Sequence, residues 1–182
     1  EIINLLDVAY QTNTIVVIDE AYHLFAESTL VDAIKKYDNL IVDRTFSKAF
    51  GLVSKRAGYV ISQEQNLNEL MKVRGPYDVN MFAKVAIEAA LHNTEYSKKY
   101  IQEVIGKSKP ILKNFFREHN IKFWEGAANF FLVKPPDQEK ALEILKSEGI
   151  LVRPREGKNI EGTIRVSIGT LEDTEKFIKA YE

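Results

Sequence analysis

Two short apolar runs that end in charged residues constrain the fold most strongly. "TIVVIDE" covers residues 14–20 and "NLIVDRT" covers residues 39–45. Both are continuous in isoleucine, valine or leucine rather than alternating with polar residues, a pattern typical of strands buried on both faces of a parallel sheet. Between them, residues 28–37 ("STLVDAIKKY") predict a short amphipathic helix capped by Ser28 or Thr29. The succession of strand, helix and strand indicates an α/β layered fold.

The remainder of the chain divides into a helical stretch and a mixed stretch. "RAGYVIS" predicts a third strand, and residues 63–119 are mostly helical in pattern, with Pro110 expected to kink the last long helix or to start a new turn there. After residue 120 we expect four strands and two helices. The strands are predicted at "IKFWEG", "ANFFLVKP", "ILVRPR" and "TIRVSIG", and the helices at "DQEKALEILKSEG" and "LEDTEKFIKAYE". We therefore predict two domains, residues 1–94 with a mostly parallel sheet and residues 95–182 with an α+β arrangement.

Composition excludes several classes of function. The 182 residues carry 25 Lys and Arg against 26 Asp and Glu, so the net charge of −1 offers no reason to expect nucleic acid or an anionic membrane as a partner. No cysteine is present for disulfides or thiolate nucleophiles, and the three histidines, His23, His92 and His119, match no metal spacing. No apolar run approaches the ~18 residues of a membrane span, and no signal peptide is visible, so a cytoplasmic location is expected. Because the chain starts at Glu1, inside a helical pattern and without methionine, we expect it to be a piece of a longer protein.

Five polar side chains follow the ends of the first two predicted strands. Asp19 and Tyr22 follow the first strand; Ser47, Lys48 and then Arg56 follow the second. The carboxyl ends of strands in open α/β sheets face the ligand crevice, so we expect these side chains to converge there. Taken singly, each also fits the simpler interpretation of a solvent-exposed turn residue.

Together, the five residues have a coherent chemistry. An amine in a desolvated crevice loses affinity for its proton and becomes a competent Schiff-base nucleophile. A carboxylate can keep a pyridinium nitrogen protonated, and an arginine beside a hydroxyl can hold a phosphate.

The same residues carry a family resemblance. "VVIDEAY" followed by "RTFSKAFGLVSKRAGY" resembles the pyridoxal-phosphate aminotransferases of fold type I, and most of all histidinol-phosphate aminotransferase and its near relatives. "KVRGPYDVN", "ANFFLV", "ILVRPR" and "IRVSIGT" continue the resemblance in the family's order. It covers the whole chain but only the latter part of the family's sequence. It implies an α/β PLP-transferase fold with a partial large cofactor-binding domain, a small C-terminal α+β domain, and a homodimer with its active sites at the subunit interface.

The resemblance also implies roles for individual residues. Lys48 is the lysine that bonds the cofactor, pyridoxal 5′-phosphate, as a Schiff base and then moves a proton between the substrate Cα and the cofactor. Asp19 pairs with the pyridine nitrogen, and Tyr22 donates to the phenolate oxygen. Ser47 and Arg56 bind the cofactor phosphate.

Further positions concern the phosphate and the substrate. Lys55 is a second candidate for the cofactor phosphate. Arg165 resembles the residue that binds the substrate's anionic group, a task that suits a planar guanidinium. Arg153 either helps to hold a substrate phosphate or is a strand-edge arginine in a solvated pair. Asn129 either contacts the substrate carboxylate or is an ordinary turn residue.

The function implied is transamination between an amino acid, such as glutamate, and a keto substrate, with histidinol phosphate and 2-oxoglutarate as the first choice. Alternatives within the family are an aromatic amino acid, another phosphorylated amino compound, or decarboxylation with the same cofactor. The family's early half supplies a phosphate-binding loop, a ring stacked on the pyridine and central strands, and none of these is found here. We therefore expect residues 1–182 alone to be inactive, and the alternative from another class is an inactive fragment or pseudoenzyme that acts as a binding module. A nucleotide-binding domain is disfavoured because no glycine-rich phosphate loop follows the first strand.

Overall fold

Seven strands form two separate sheets, one in each of two structural units. The computed structural model describes residues 1–182 in full, and the chain divides into the units Glu1–Thr94 and Glu95–Glu182. No helix combines the length and the apolar character that crossing a membrane requires.

The first unit contains a mixed three-stranded sheet. Its strands are β1 (Val16–Asp19), β2 (Leu40–Thr45) and β3 (Gly58–Ile61), in the order β1-β2-β3. β1 runs parallel to β2, with Asp19 opposite Asp43, whereas β3 is antiparallel to β2. The three strands expected from the sequence are therefore present, but the sheet is mixed rather than mostly parallel.

Four α-helices accompany this sheet: α1 (Ile2–Gln11), α2 (His23–Ala26), α3 (Glu64–Val73) and α4 (Met81–His92). The helix predicted at residues 28–37 is wrong in type, because only a short 3-10 turn forms, at Val31–Lys35. Leu30, rather than Ser28 or Thr29, directly precedes this turn, but the Thr29 hydroxyl accepts the Val31 N–H at 3.1 Å. The same hydroxyl donates to the Glu20 carboxylate at 2.9 Å, and the Leu30 N–H donates to that carboxylate at 2.6 Å. These bonds tie the start of the segment to the end of β1.

A second, smaller cluster of Phe46, Ala57 and Ala83 accompanies the main apolar core of the first unit, which lies against one face of β1. Leu6, Ile34, Tyr37, Leu40 and Val42 form that core, and alternate residues of β1 pack against it. The other residues of β1 are exposed, so the expectation of a strand buried on both faces is wrong for β1, whereas it holds for the first half of β2, in which Leu40, Ile41 and Val42 are all buried. The alternation along β1 follows from the pleat, which sends successive side chains to opposite faces, and at this edge strand only one of those faces is covered.

The second unit places helices against an antiparallel sheet. Its helices are α5 (Thr94–Glu103), α6 (Lys109–Glu118), α7 (Gln138–Ser147) and α8 (Leu171–Tyr181), and its strands are β4 (Lys122–Glu125), β5 (Phe130–Lys134), β6 (Arg153–Arg155) and β7 (Thr163–Ser167). The sheet order is β4-β5-β7-β6, and every neighbouring pair is antiparallel. A π-helical turn, Val104–Ser108, leads into Pro110, which lies in the first turn of α6. A proline has no N–H to donate, so the first turn is where a helix tolerates it.

Candidate active site

Asp19 is the last residue of β1, and its carboxylate is exposed. One carboxylate oxygen accepts the Ala21 N–H at 2.8 Å, which turns the chain sharply at the end of the strand. Tyr22 comes immediately after this turn and precedes the first residue of α2. Asp19 and Tyr22 are therefore held by a short local turn.

Lys48 lies in a loop that is fixed by buried residues on either side of it. Phe46 and Ala49 are buried, with 8% and 7% of their surface exposed, whereas Lys48 is exposed. The Lys48 carbonyl accepts the Gly51 N–H at 3.0 Å, and Gly51 adopts a left-handed φ of 68°, a conformation that glycine takes without a steric penalty. The buried flanks hold the loop in place, and the lysine side chain points away from the core.

The structure brings Lys48 and Tyr22 together. The Lys48 Nζ lies 5.3 Å from the centroid of the Tyr22 ring, within the range of a cation–π contact. These residues come from the two different motifs, one after β1 and the other after β2. The amine and the phenol therefore belong to one cluster at the carboxyl ends of two neighbouring parallel strands.

Arg56 lies next to the same loop in a strained conformation. It has φ 52° and ψ 47°, in the left-handed region that residues other than glycine rarely adopt. Its guanidinium donates to the Val53 carbonyl at 3.1 Å and is otherwise exposed. The Ala57 carbonyl accepts the Phe46 N–H at 3.1 Å, which joins the Arg56 segment to the end of β2. Such strain is common at sites that bind ligands.

Ser47 is half-buried beside these groups. Its N–H donates to the Thr45 hydroxyl at 3.1 Å. Lys55, the second candidate for the phosphate, is half-buried, and its carbonyl accepts the Asn80 amide at 3.2 Å. Ser47 and Thr45 are therefore neighbouring hydroxyls at the end of β2.

The residues of this cluster fit pyridoxal phosphate. Asp19, Lys48 and Arg56 are exposed, and none of them takes part in a salt bridge of the chain. A carboxylate, an amine and a guanidinium with adjacent hydroxyls are the groups that would meet the pyridine nitrogen, the aldehyde carbon and the phosphate of that cofactor. Their individual roles stay predictions.

Arg153 and Arg165 face each other in the second unit. They are directly paired on β6 and β7, so their side chains leave the sheet on the same face. The Arg165 guanidinium lies 5.5 Å from the Phe130 ring centroid, and its Nε is buried with no hydrogen-bond partner. Arg153 is exposed and forms no salt bridge, so the structure does not show the solvated pair considered for it. Like charges directly opposite each other repel, and an anion bound between them would relieve that repulsion.

Asn129 immediately precedes β5 and lies in a tightly bonded turn. Its carbonyl accepts the Ile168 N–H at 2.8 Å, and its side chain is hydrogen-bonded to Tyr100. Burial raises the pKa of Tyr100, and the negative charge of Asp173 acts in the same direction. Both interpretations of Asn129, substrate contact and turn residue, remain compatible with this placement.

Sequence reasoning missed two residues next to the predicted site, Glu20 and Arg44. Glu20 directly follows Asp19 and is only 7% exposed, and its carboxylate accepts both the Nε and the Nη2 of Arg44, at 3.0 and 2.9 Å. Burial alone would raise the pKa of Glu20, but the bonds from Leu30, Thr29 and Arg44 bring it below the ordinary glutamate value. The sequence offered one signal for this pair: Glu20 follows the first predicted strand, and Arg44 lies near the end of the second.

Comparison with known proteins identifies the family. The chain matches the family described as aminotransferase class I and II over residues 1–180. The histidinol-phosphate aminotransferase of Methanococcoides burtonii is 39% identical over 98% of this chain and 49% of its own length.

Two solved structures of histidinol-phosphate aminotransferases share the fold. The one from Clostridium acetobutylicum has a TM-score of 0.81 and 26% identity, covering 98% of this chain and 56% of that chain. The one from Sinorhizobium meliloti, in complex with pyridoxal-5′-phosphate, has a TM-score of 0.79 and 26% identity, covering 92% and 48%.

The chain spans about half the length of the curated relatives it matches. The predicted resemblance and the predicted fold class, a partial fold type I transferase, are both confirmed. Since the match runs along nearly all of its residues and the fold is shared with a pyridoxal-phosphate complex, the chain belongs to the class I and II aminotransferases, a family of pyridoxal-phosphate-dependent transferases.

Proposed function

We propose that the protein carrying this chain transfers an amino group from a phosphorylated amine, histidinol phosphate, to the keto acid 2-oxoglutarate, which becomes glutamate. The observation that supports it most is the cluster at the end of the first sheet. There Lys48, held between buried neighbours, lies against Tyr22 and follows the strand next to the one that ends at Asp19. The names of the curated relatives support the choice of substrate.

Each residue of the cluster has a task in this proposal. Pyridoxal phosphate, when bound, supplies the electron sink that makes the Cα proton of an amino acid acidic. Lys48 removes and returns that proton as a general base and acid. Asp19 holds the pyridine nitrogen, and Tyr22 orients the ring by donating from its hydroxyl. Ser47 and Arg56 bind the phosphate.

The paired arginines of the second unit favour a phosphorylated substrate over an aromatic one. Arg165 and Arg153 present two guanidinium groups on one face, and the buried Nε of Arg165 lacks a partner. A phosphate dianion offers oxygens to both guanidinium groups, whereas an aromatic side chain offers none. Another phosphorylated amino compound, or decarboxylation of one, is the second candidate because it would use the same two arginines.

Other parts of the proposal rest on the family resemblance. The protein is proposed to be a cytoplasmic homodimer. Asn129 is proposed to contact the substrate carboxylate. The alternative, an inactive binding module, predicts no covalent attachment of the cofactor, so one experiment separates the two.

The first prediction concerns Lys48. The complete protein that carries this chain, mixed with pyridoxal phosphate, should develop an absorption band near the visible edge, and borohydride should abolish the band and attach the cofactor to Lys48. Lys48→Ala should lose the band and transamination, because no other amine occupies that position. Lys72→Ala, which removes an amine from the exposed surface of α3, is the matched control and should keep both. Turnover retained by Lys48→Ala would refute the assignment.

The second prediction concerns Arg165 and Arg153. Arg165→Lys should raise the KM for histidinol phosphate by about tenfold, the effect of losing one charge-assisted hydrogen bond. Arg153→Lys should act in the same direction and leave the KM for 2-oxoglutarate less affected. Arg117→Lys, on the exposed surface of α6, is the control and should change neither constant. If the substitutions raised the KM for histidinol as much as the KM for histidinol phosphate, a role of these arginines in phosphate binding would be contradicted.

A further inference from the structure

A nearly buried ion pair joins the ends of the two strands that carry the proposed cofactor residues. Glu20 and Arg44 have side chains that are 7% and 14% exposed, whereas the other salt bridges of the first unit lie on its surface. Both the Nε and the Nη2 of Arg44 donate to a single Glu20 oxygen, Oε2, a two-pronged contact in which the planar guanidinium fixes direction as well as distance.

No buried side-chain nitrogen or oxygen of Glu20, Thr29 or Arg44 lacks a hydrogen-bond partner. One Glu20 oxygen accepts the Leu30 N–H at 2.6 Å, and the other accepts the Thr29 hydroxyl at 2.9 Å in addition to the two bonds from Arg44. Arg44 also donates to the Thr29 hydroxyl at 2.7 Å and is hydrogen-bonded to Tyr59 on β3. A polar network with all its members satisfied is rigid.

The position of the pair relates it to the proposed site. Glu20 directly follows Asp19, and the alternation of β1 sends Asp19 to the exposed face and Glu20 to the buried one. Arg44 precedes Thr45, whose hydroxyl accepts the Ser47 N–H beside Lys48. The ion pair therefore connects the backbone on which the carboxylate stands to the backbone from which the lysine loop starts.

Stability alone does not explain such a pair. The cost of removing two charges from water cancels much of their attraction, so an apolar pair of similar volume would stabilise the sheet at least as well. An ion pair with fixed geometry differs from an apolar contact in holding two backbones at one separation. Two groups that must act on one rigid ring need such a fixed separation.

We propose that Glu20 and Arg44 are positioning residues, and that their ion pair holds the Asp19 carboxylate and the Lys48 amine at the separation at which both engage pyridoxal phosphate. This inference rests on the proposed function of the cluster. Neither residue touches the cofactor in this proposal; each acts through the segment next to it.

The test uses the complete protein with Glu20→Gln, which keeps the shape of the side chain and removes its charge, and with Arg44→Lys, which keeps the charge and removes the two-pronged geometry. The cofactor-free proteins are titrated with pyridoxal phosphate, and the pH midpoint of the visible band is measured. Both variants should bind the cofactor about tenfold more weakly, the effect of one charge-assisted hydrogen bond. The midpoint should rise, because a pyridine nitrogen held less firmly by Asp19 withdraws less electron density from the ring.

Two controls separate positioning from general destabilisation. Glu69→Gln removes a charge of the same kind from an exposed pair on α3 and should change neither the affinity nor the midpoint. Amide hydrogen exchange in the cofactor-free protein should increase at residues 19–23 and 44–48 in the Glu20→Gln variant and stay unchanged in α8. A variant that merely loosened the whole fold would raise exchange throughout.

The outcomes distinguish the inference from the proposed function. Unchanged affinity and midpoint in folded Glu20→Gln and Arg44→Lys would overturn the inference and leave the proposed function intact. Failure of the unsubstituted complete protein to bind pyridoxal phosphate would overturn the proposed function and the inference with it. Increased exchange confined to the two segments, together with weaker binding, would support both.

Discussion

Glu20 shows at the scale of a single residue how burial and hydrogen bonding compete. Burial opposes its charge, yet three partners lower its pKa below the ordinary value. Asp19, its neighbour in sequence, is exposed and lies opposite Asp43 on β2. Adjacent acids therefore differ in environment because the pleat sends them to opposite faces of the sheet.

The third prediction follows from the lowered pKa of Glu20. Because the folded-state value lies below the unfolded one, the ionised carboxylate stabilises the fold above the ordinary glutamate pKa of 4.5, and this contribution is lost as the pH falls further. The pKa of half-buried His23 is lowered by partial burial, and this acts in the same direction below its ordinary value of 6.5. The free energy of unfolding from urea titrations between pH 7 and pH 3 should therefore decrease.

The control for this prediction is Glu20→Gln. At pH 7 it should lower the free energy of unfolding by roughly 1.5–3 kcal/mol, the range for a hydrogen bond to a charged group. The free energy of unfolding of this variant should depend less on pH below 4.5, because the carboxyl group that titrates there has been removed. A variant profile parallel to that of the unsubstituted protein would contradict the assignment.

Among the secondary-structure elements, helix α8 has the most fully hydrogen-bonded N-terminus. The Thr170 hydroxyl accepts the Asp173 N–H at 3.3 Å, and the Asp173 carboxylate accepts the Thr170 N–H at 3.0 Å. This reciprocal arrangement satisfies two backbone donors at the start of the helix. The threonine and the acids of the first turn were visible in the sequence, whereas the actual bonds required the structure.

The fourth prediction contrasts two threonines of this segment. Thr170→Val should lower the free energy of unfolding by about 1 kcal/mol, because the helix loses its cap. Thr174→Val should leave it equal or higher, since the Thr174 hydroxyl is buried without a partner. Thermal unfolding followed by circular dichroism measures both, and equal destabilisation by the two substitutions would show that the capping bonds contribute nothing specific.

The two units differ at the scale of the whole molecule in how much apolar surface they expose. Nineteen large apolar side chains are exposed in the first unit and five in the second. Val17 of β1 is 61% exposed, and Phe82 of α4 is 80% exposed. Extended apolar surface of this kind marks faces that other protein segments cover or, when uncovered, that associate.

The fifth prediction is that the units behave differently when produced separately. Residues 95–182 should fold cooperatively and remain monomeric, because their antiparallel sheet and helices enclose an apolar core. Residues 1–94 should self-associate and bind a hydrophobic fluorescent dye, since they expose large apolar side chains, among them Val17 of β1 and Phe82 of α4. Size-exclusion chromatography and dye fluorescence test this, and a monomeric, dye-free segment 1–94 would contradict it.

Local sequence patterns predicted the three strands before residue 94 and the four after it, a division of the chain near that residue, and the residues of the proposed site. Those features depend on local patterns: apolar runs, helical spacing and the polar residues that follow strand ends. Only the folded chain shows that β3 runs antiparallel to β2, that residues 31–35 form a 3-10 turn, and that Glu20 pairs with Arg44. Each of these depends on contacts between segments far apart in the chain, which no local pattern encodes.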